Sequence, residues 1–139
     1  MRRTTETFGH VVLIDCHSMP STSFGRDDPH KADIVLGDRY GTSCATYLTD
    51  LVDDVLRARG YLVVRNKPYA GGFITEHYGA PAHGRHTLQV EVNRALYMDE
   101  RSLTPSAAFT TLTHDLTDAF REVLAEVDGT LTPTRIAAE

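Results

Sequence analysis

The chain predicts an α/β domain with a mixed, mainly parallel sheet flanked by helices. Three observations carry this reading. Short runs rich in Val, Ile and Leu recur at Val11-Val12-Leu13-Ile14, Ile34-Val35-Leu36 and Leu62-Val63-Val64, the mark of buried strands. Between the second and third runs the apolar spacing changes to a helical period, and a β-α-β order favours parallel pairing with a right-handed crossover. The last third of the chain repeats the helical period over a longer stretch.

The first strand is expected at Val11–Ile14, a buried run that ends at Asp15-Cys16-His17-Ser18-Met19. A loop rich in Pro, Ser and Gly follows, from about Ser18 to Lys31. Asp33-Ile34-Val35-Leu36-Gly37-Asp38 supplies a second, shorter strand. Ala45, Tyr47, Leu48, Leu51, Val52, Val55 and Leu56 then fall on one face of a helix, with Asp50, Asp53, Asp54 and Arg57 opposite. Thr42 or Ser43 suits its N-cap, and Gly60 its C-terminal turn. Tyr61–Arg65 reads as the next strand.

Asn66 to Arg85 shows no periodicity and reads as a long, functional loop with Gly71-Gly72 inside it. Thr87-Leu88-Gln89-Val90-Glu91-Val92-Asn93 alternates, placing Gln89, Glu91 and Asn93 on one polar face. A final helix is expected to start near Thr104-Pro105. It carries Phe109, Leu112, Leu116, Ala119, Phe120, Val123, Leu124 and Val127 on one stripe, and ends before Gly129 with a frayed tail beyond. No repeat, low-complexity tract or linker interrupts the chain, so residues 1–139 form a single domain.

Composition narrows the function. The 139 residues are 41% hydrophobic and 24% charged, enough for a packed core. A formal net charge of -5 gives no electrostatic reason to bind nucleic acid or an anionic membrane. No apolar stretch approaches the ~20 residues needed to cross a bilayer. Two cysteines, Cys16 and Cys44, make no disulfide framework, which points to a cytoplasmic setting. Both are small buried residues rather than nucleophiles on this reading, and Ser18 lacks a nucleophile-elbow context.

His17 is the leading metal-ligand candidate. A neutral imidazole suits zinc, and Asp15 is placed to orient the ring. The plainer reading is a histidine hydrogen-bonded to backbone, since a catalytic zinc needs about three protein ligands. Glu91 is the candidate general base, able to take a proton from a water and return it to a leaving amine. Its plainer reading is a solvent-facing glutamate on an edge strand. Arg94 can clamp a substrate carboxylate with its planar guanidinium, or simply pair with Glu91 or Asp99. His77, His83 and His86 cluster in sequence, but their spacing fits no strong zinc motif.

Four ordered motifs together are more specific than any one of them. Asp15-Cys16-His17-Ser18-Met19-Pro20 is followed by Asp33-Ile34-Val35-Leu36-Gly37-Asp38-Arg39-Tyr40-Gly41-Thr42-Ser43-Cys44. Asn66-Lys67-Pro68-Tyr69-Ala70-Gly71-Gly72-Phe73-Ile74-Thr75 comes next, and then Leu88-Gln89-Val90-Glu91-Val92-Asn93-Arg94-Ala95-Leu96-Tyr97-Met98. This order resembles the second half of the N-formylglutamate amidohydrolase family, from about Val11 to Glu126. The resemblance implies a truncated zinc-carboxypeptidase-like (phosphorylase/hydrolase-like) fold. It also implies a zinc-dependent hydrolase that splits N-formyl-L-glutamate, or another N-acyl amino acid, into formate (or the acid) and the amino acid, a step in histidine breakdown.

By motif, His17 resembles the metal ligand and Glu91 the general base. Arg94, Asn93 and Tyr69 resemble the substrate-binding set. The family's first half, with its His-Ser-Gly motif and the remaining zinc ligands, has no counterpart here. Three expectations follow: an active enzyme completed by an N-terminal partner, a catalytically incomplete paralogue that binds a small acid or a partner, or a homo-oligomer in which His77, His83 or His86 completes the site. A shortened sheet would expose apolar surface and favour dimerisation.

Overall fold

The computed structural model describes residues 1–25 and 31–131, with the side chains of 128–131 left aside. In chain order the elements are α1 (Arg2–Phe8), β1 (Val11–Met19), β2 (Ile34–Gly37), α2 (Thr46–Ala58) and β3 (Val63–Arg65). There follow α3 (Phe73–Tyr78), β4 (Arg85–Asn93), β5 (Met98–Asp99), β6 (Thr104–Pro105) and α4 (Phe109–Leu131). Four strands form one sheet in the order β1-β4-β2-β3, while β5 and β6 form a small hairpin.

The class is α/β, as expected. β1 lies parallel to β4 and β2 parallel to β3, the latter joined through α2, as the β-α-β reading requires. The pairing of β2 with β4 is antiparallel, so two parallel pairs meet at one antiparallel seam. β2 and β4 are the interior strands. Ile34, Val35 and Leu36 are fully buried, which is why β2 reads as an unbroken apolar run and not an alternating one.

The alternation of β4 sorts the two faces of the sheet. Leu88, Val90 and Val92 join Ile34 and Leu36 against Leu48, Val52, Val55 and Leu56 of α2 and Leu112, Ala119 and Val123 of α4. Burying each such side chain contributes about 1.5–3 kcal/mol. Two polar links fasten the helical layer. Tyr61 donates its hydroxyl to Asp115 at 2.8 Å, and Arg59 pairs with Glu122 at 2.8 Å. The opposite face carries Thr87, Gln89 and Glu91 of β4, and α3 packs on that strand.

Several sequence expectations are corrected. Val11–Ile14 is half-buried, because β1 is an outer strand of the sheet, and β1 continues through Asp15, Cys16 and His17 to Met19. His17 therefore stands two residues inside the strand rather than at its end, and Ser18 and Met19 belong to the strand and not to the loop. The loop that follows contains a 3-10 turn at Ser21–Ser23, and residues 26–30 lie outside the described part. Neither Thr42 nor Ser43 caps α2: its N-cap is Ala45, without a side-chain cap. Gly60 does take the left-handed conformation after that helix, with φ 90°.

Asn66–Arg85 is not loop throughout. It holds α3 and a 3-10 turn at Pro81–His83. Thr104-Pro105 forms the second strand of the hairpin, so α4 starts later, at Phe109, and it runs past Gly129 to Leu131. The tail expected to fray lies outside the described residues. Among the described residues no helix is long and apolar enough to cross a membrane.

Candidate active site

The sequence-predicted residues gather around the paired strands β1 and β4. Parallel register sets His17 opposite Glu91, Asp15 opposite Gln89 and Met19 opposite Asn93. Residues two apart on a strand share a face, so Asp15, His17, Gln89 and Glu91 all project from the same side of the sheet.

Glu91 is buried, only 6% exposed, on an interior strand. The reading of a solvent-facing edge glutamate is thereby set aside. A buried carboxylate requires hydrogen bonding, and Gln89 provides it: its Nε2 donates to Glu91 Oε1 at 2.6 Å. Gln89 is itself fixed, because its Oε1 accepts the backbone N–H of Gly72 at 2.7 Å. The Gly72 contact settles which end of the amide faces Glu91. Among the described residues no other group donates to Glu91.

The Gly71-Gly72 strip lies where it does because Gly37 at the end of β2 has no side chain. A Cβ there would sit 2.7 Å from Gly71 N and 2.8 Å from the Ala70 carbonyl carbon. Gly71 has φ +116°, in the region that favours glycine. Arg39, which sequence reasoning passed over, lies across this strip. It donates to Gly71 O at 3.3 Å and pairs with Glu76 at 3.4 Å.

His17 is half exposed, and its Nε2 lies 3.1 Å from Asp15 Oδ1. This is the orienting contact foreseen for Asp15. Arg94 pairs with neither Glu91 nor Asp99. It donates from Nε to Ser18 Oγ at 3.2 Å, tying the end of β4 to β1, and Asp99 instead accepts the N–H groups of Arg101 and Ser102. Beside it, the hydroxyl and N–H of Ser21 hold the Glu100 carboxyl below its usual range, with a smaller contribution from Arg94.

Asn93 is used at both ends of its amide: Nδ2 donates to Ala32 O at 3.1 Å and Oδ1 accepts from Ala95 N at 3.0 Å. Tyr69 bonds Ser23 through its hydroxyl at 3.0 Å and packs against the buried cluster of Met19, Phe24, Ala32 and Val35. The other histidines are dispersed. His86 is buried and accepts the Ala45 N–H at 3.3 Å, which gives α2 the capping partner that its own sequence lacks. His77 stacks on Phe73 with ring centroids 5.0 Å apart.

Among the described residues no group of three His, Cys, Asp or Glu side chains is placed to hold a metal ion. The donor types of His17, Asp15 and Glu91 suit zinc, but their placement does not make a ligand set. A cavity of about 220 Å³ opens beside His17 and Ser18 and is lined by Val92, Tyr97, Phe109 and Leu116. It lies toward the helical layer, since Val92 and Glu91 point to opposite faces of β4.

Comparison with known proteins resolves the family. Residues 1–98 match the family described as N-formylglutamate amidohydrolase. The chain belongs to that family. Two curated members are similar to it. An N-formylglutamate deformylase of Pseudomonas aeruginosa is 34% identical over 128 residues, covering 91% of this chain and 46% of the relative. An N-formylglutamate deformylase of Pseudomonas putida is 38% identical over 99 residues, covering 70% of this chain and 37% of the relative. The crystal structure of an N-formylglutamate amidohydrolase from Ralstonia eutropha superposes with a TM-score of 0.84 and 40% identity, covering 93% of this chain and 48% of that one. A bacteriophage poly-gamma-glutamate hydrolase shares the fold alone, with TM-score 0.53 at 17% identity over 88% of this chain and 56% of that one. This amidohydrolase-family chain thus spans less than half the length of the curated relatives it matches.

Proposed function

We propose that the chain carries the proton-transfer and acid-recognition part of a site that hydrolyses the formyl amide of N-formyl-L-glutamate, giving formate and glutamate. The observation that carries this reading is the buried Glu91, held at one oxygen by Gln89 and, among the described residues, bonded to no other donor. A carboxylate so placed takes a proton from the attacking water and returns it to the amine nitrogen as the C–N bond breaks. Gln89 keeps it from rotating away. Family membership and the names of the relatives support the substrate.

Arg94, at the mouth of the β1–β4 pair, is the group suited to a glutamate carboxylate. Tyr69 and Asn93 would complete the substrate-binding set; among the described residues the Tyr69 hydroxyl is bonded to Ser23 alone, whereas the Asn93 amide is used at both ends. His17 would help to hold a zinc ion, which would supply activation of the water and the carbonyl. The described residues by themselves offer no full ligand set for it. The unpaired thiols of Cys16 and Cys44 support a cytoplasmic setting.

A second reading is favoured by the absence of a three-ligand group among the described residues: a module that binds the small acid without turning it over. Metal content measured together with calorimetric binding and formate release separates the two. Bound zinc with formate released from N-formyl-L-glutamate supports the hydrolase. Binding without release, with and without added zinc, supports the module. Neither binding nor release contradicts both.

A further inference from the structure

A second arginine is mounted on a strained turn on the α3 side of the sheet. Arg39 follows the end of β2 with φ 51°, and Tyr40 after it has φ 57°. Residues with a Cβ rarely hold this left-handed region, and such strain persists only where the surroundings impose it. Here they do. Asn66, itself at φ 59°, accepts the N–H groups of Asp38 and Tyr40 at 3.2 and 3.3 Å and donates to Asp38 Oδ1 at 2.8 Å. The Arg39 N–H donates to Ala70 O at 2.8 Å.

This mount sends the Arg39 side chain across the Gly71-Gly72 strip. Glycine at 71 leaves room for it, since a Cβ there would sit 3.1 Å from Arg39 Cγ. The guanidinium donates to Gly71 O at 3.3 Å and reaches Glu76 of α3 at 3.4 Å. The same strip holds Gln89, the partner of Glu91, through the Gly72 N–H. The side chains of Arg39 and Glu76 are 34% and 65% exposed. An ion pair so long and so open is worth little, and a ligand carboxylate can take the place of Glu76. The planar fork of the guanidinium suits that exchange, because two of its five donors can grip one carboxylate.

We infer that Arg39 selects an acidic side chain on the N-formyl amino acid by pairing with its γ-carboxylate, an assignment that rests on the function proposed above. That substrate carries two carboxylates, and Arg94 can answer only one. Register decides which of them Arg39 takes. Val35 pairs with Glu91 and Gly37 with Gln89, so the chain leaves β2 toward Arg39 on the side of Gln89 remote from Glu91. In N-formyl-L-glutamate the α-carboxylate is one carbon from the amide nitrogen, and the γ-carboxylate is three. A cation displaced from the base meets the farther group.

The test is calorimetric titration of the zinc-supplied chain with N-formyl-L-glutamate and with N-formyl-L-glutamine, which has the same shape without the γ charge. Formate release is followed in parallel. Arg39→Gln is expected to weaken N-formyl-L-glutamate about ten- to a hundredfold, and N-formyl-L-glutamine less than about twofold. Arg39→Lys keeps the charge, loses the fork, and recovers part of the preference. Glu76→Gln, at an exposed position, removes the competing carboxylate and is expected to tighten N-formyl-L-glutamate about two- to fivefold. That variant carries the test if Arg39→Gln does not fold.

Equal weakening of both ligands by Arg39→Gln is what a merely structural role predicts, and it overturns the inference. So does a Glu76→Gln variant without tightening, or a folded parent chain that binds neither ligand. Selective loss of N-formyl-L-glutamate binding, with no formate released by any form, supports Arg39 and contradicts the hydrolase. Formate released from both ligands alike, and unchanged in Arg39→Gln, overturns the Arg39 assignment and leaves the hydrolase standing.

Discussion

Gln89 donates to Glu91 across 2.6 Å while accepting the Gly72 N–H at 2.7 Å, so one side chain couples a buried carboxylate on β4 to the backbone of a neighbouring loop. Gln89→Leu removes both bonds, leaving the buried Glu91 carboxylate and the partly exposed Gly72 N–H without this partner. A loss of about 1–3 kcal/mol is expected, most of it from the orphaned buried carboxylate. Glu91→Gln keeps an acceptor for Gln89 and should cost less than half as much. Urea unfolding of both variants checks the order, and equal losses would contradict the described pairing.

Gly37→Ala tests the close approach that positions Gly72. Its Cβ would meet backbone atoms of Ala70 and Gly71 at under 3 Å, where no flexible side chain can give way. Destabilisation of about 1–3 kcal/mol is expected, as for other overpacked sites. Thermal unfolding measures it. A variant as stable as the parent would mean that the loop lies farther from β2.

Asp53 is buried and bridges two arginines, Arg57 on its own helix and Arg65 on β3. Asp53→Ala leaves both guanidinium groups without this acceptor. Because those groups are partly exposed, the loss should be about 1–3 kcal/mol, below that for a wholly buried pair. High salt should change the wild-type stability little, since much of the bridge is hydrogen bonding. Chemical denaturation at two ionic strengths reads both effects.

Acid should weaken the fold through His86. Burial, and then the nearby His10, lower its pKa from 6.5. Between the lowered value and 6.5 the unfolded chain binds a proton that the folded chain does not. Its stabilising contribution is full above 6.5 and is lost as pH falls through that window. His86→Gln can still accept the Ala45 N–H but does not titrate. Its melting temperature should therefore fall less than that of the wild type between pH 7 and pH 5. Parallel curves would remove His86 as the cause.

The helix α2 and the strand β4 were legible because each repeats its own period over enough residues to be unambiguous. Leu48, Val52, Val55 and Leu56 reach the core as the helical spacing requires. α3 was not legible, since six residues from Phe73 to Tyr78 hold less than two turns. The apolar run of β1 stops at Ile14, so Asp15 and His17 read as the strand's end and the loop was placed from about Ser18, whereas the strand continues to Met19 because an outer strand tolerates polar residues along its length. Thr104-Pro105 satisfies the pattern of a helix start as well as that of a hairpin strand, and only pairing with Met98–Asp99 decides between them.

The site divides in the same way. Glu91 and His17 could be named from residue type and family motif, and Asp15 as the partner of His17 from spacing. Gln89 was visible only as a neighbour on the polar face. Its contact with Gly72 joins segments 17 positions apart and depends on the tertiary path of the loop. The antiparallel seam between β2 and β4, which buries Glu91, is likewise non-local. Arg94 bonds Ser18 from 76 positions away, a choice that no local pattern encodes.

The most direct test of Glu91 as the proton-transferring base is formate release from N-formyl-L-glutamate by the zinc-supplied protein and its Glu91→Gln variant, each shown to be folded by circular dichroism. The proposed role predicts a fall in kcat of about 10²–10⁴-fold with little change in KM. Formate release by the variant at the wild-type rate would contradict it.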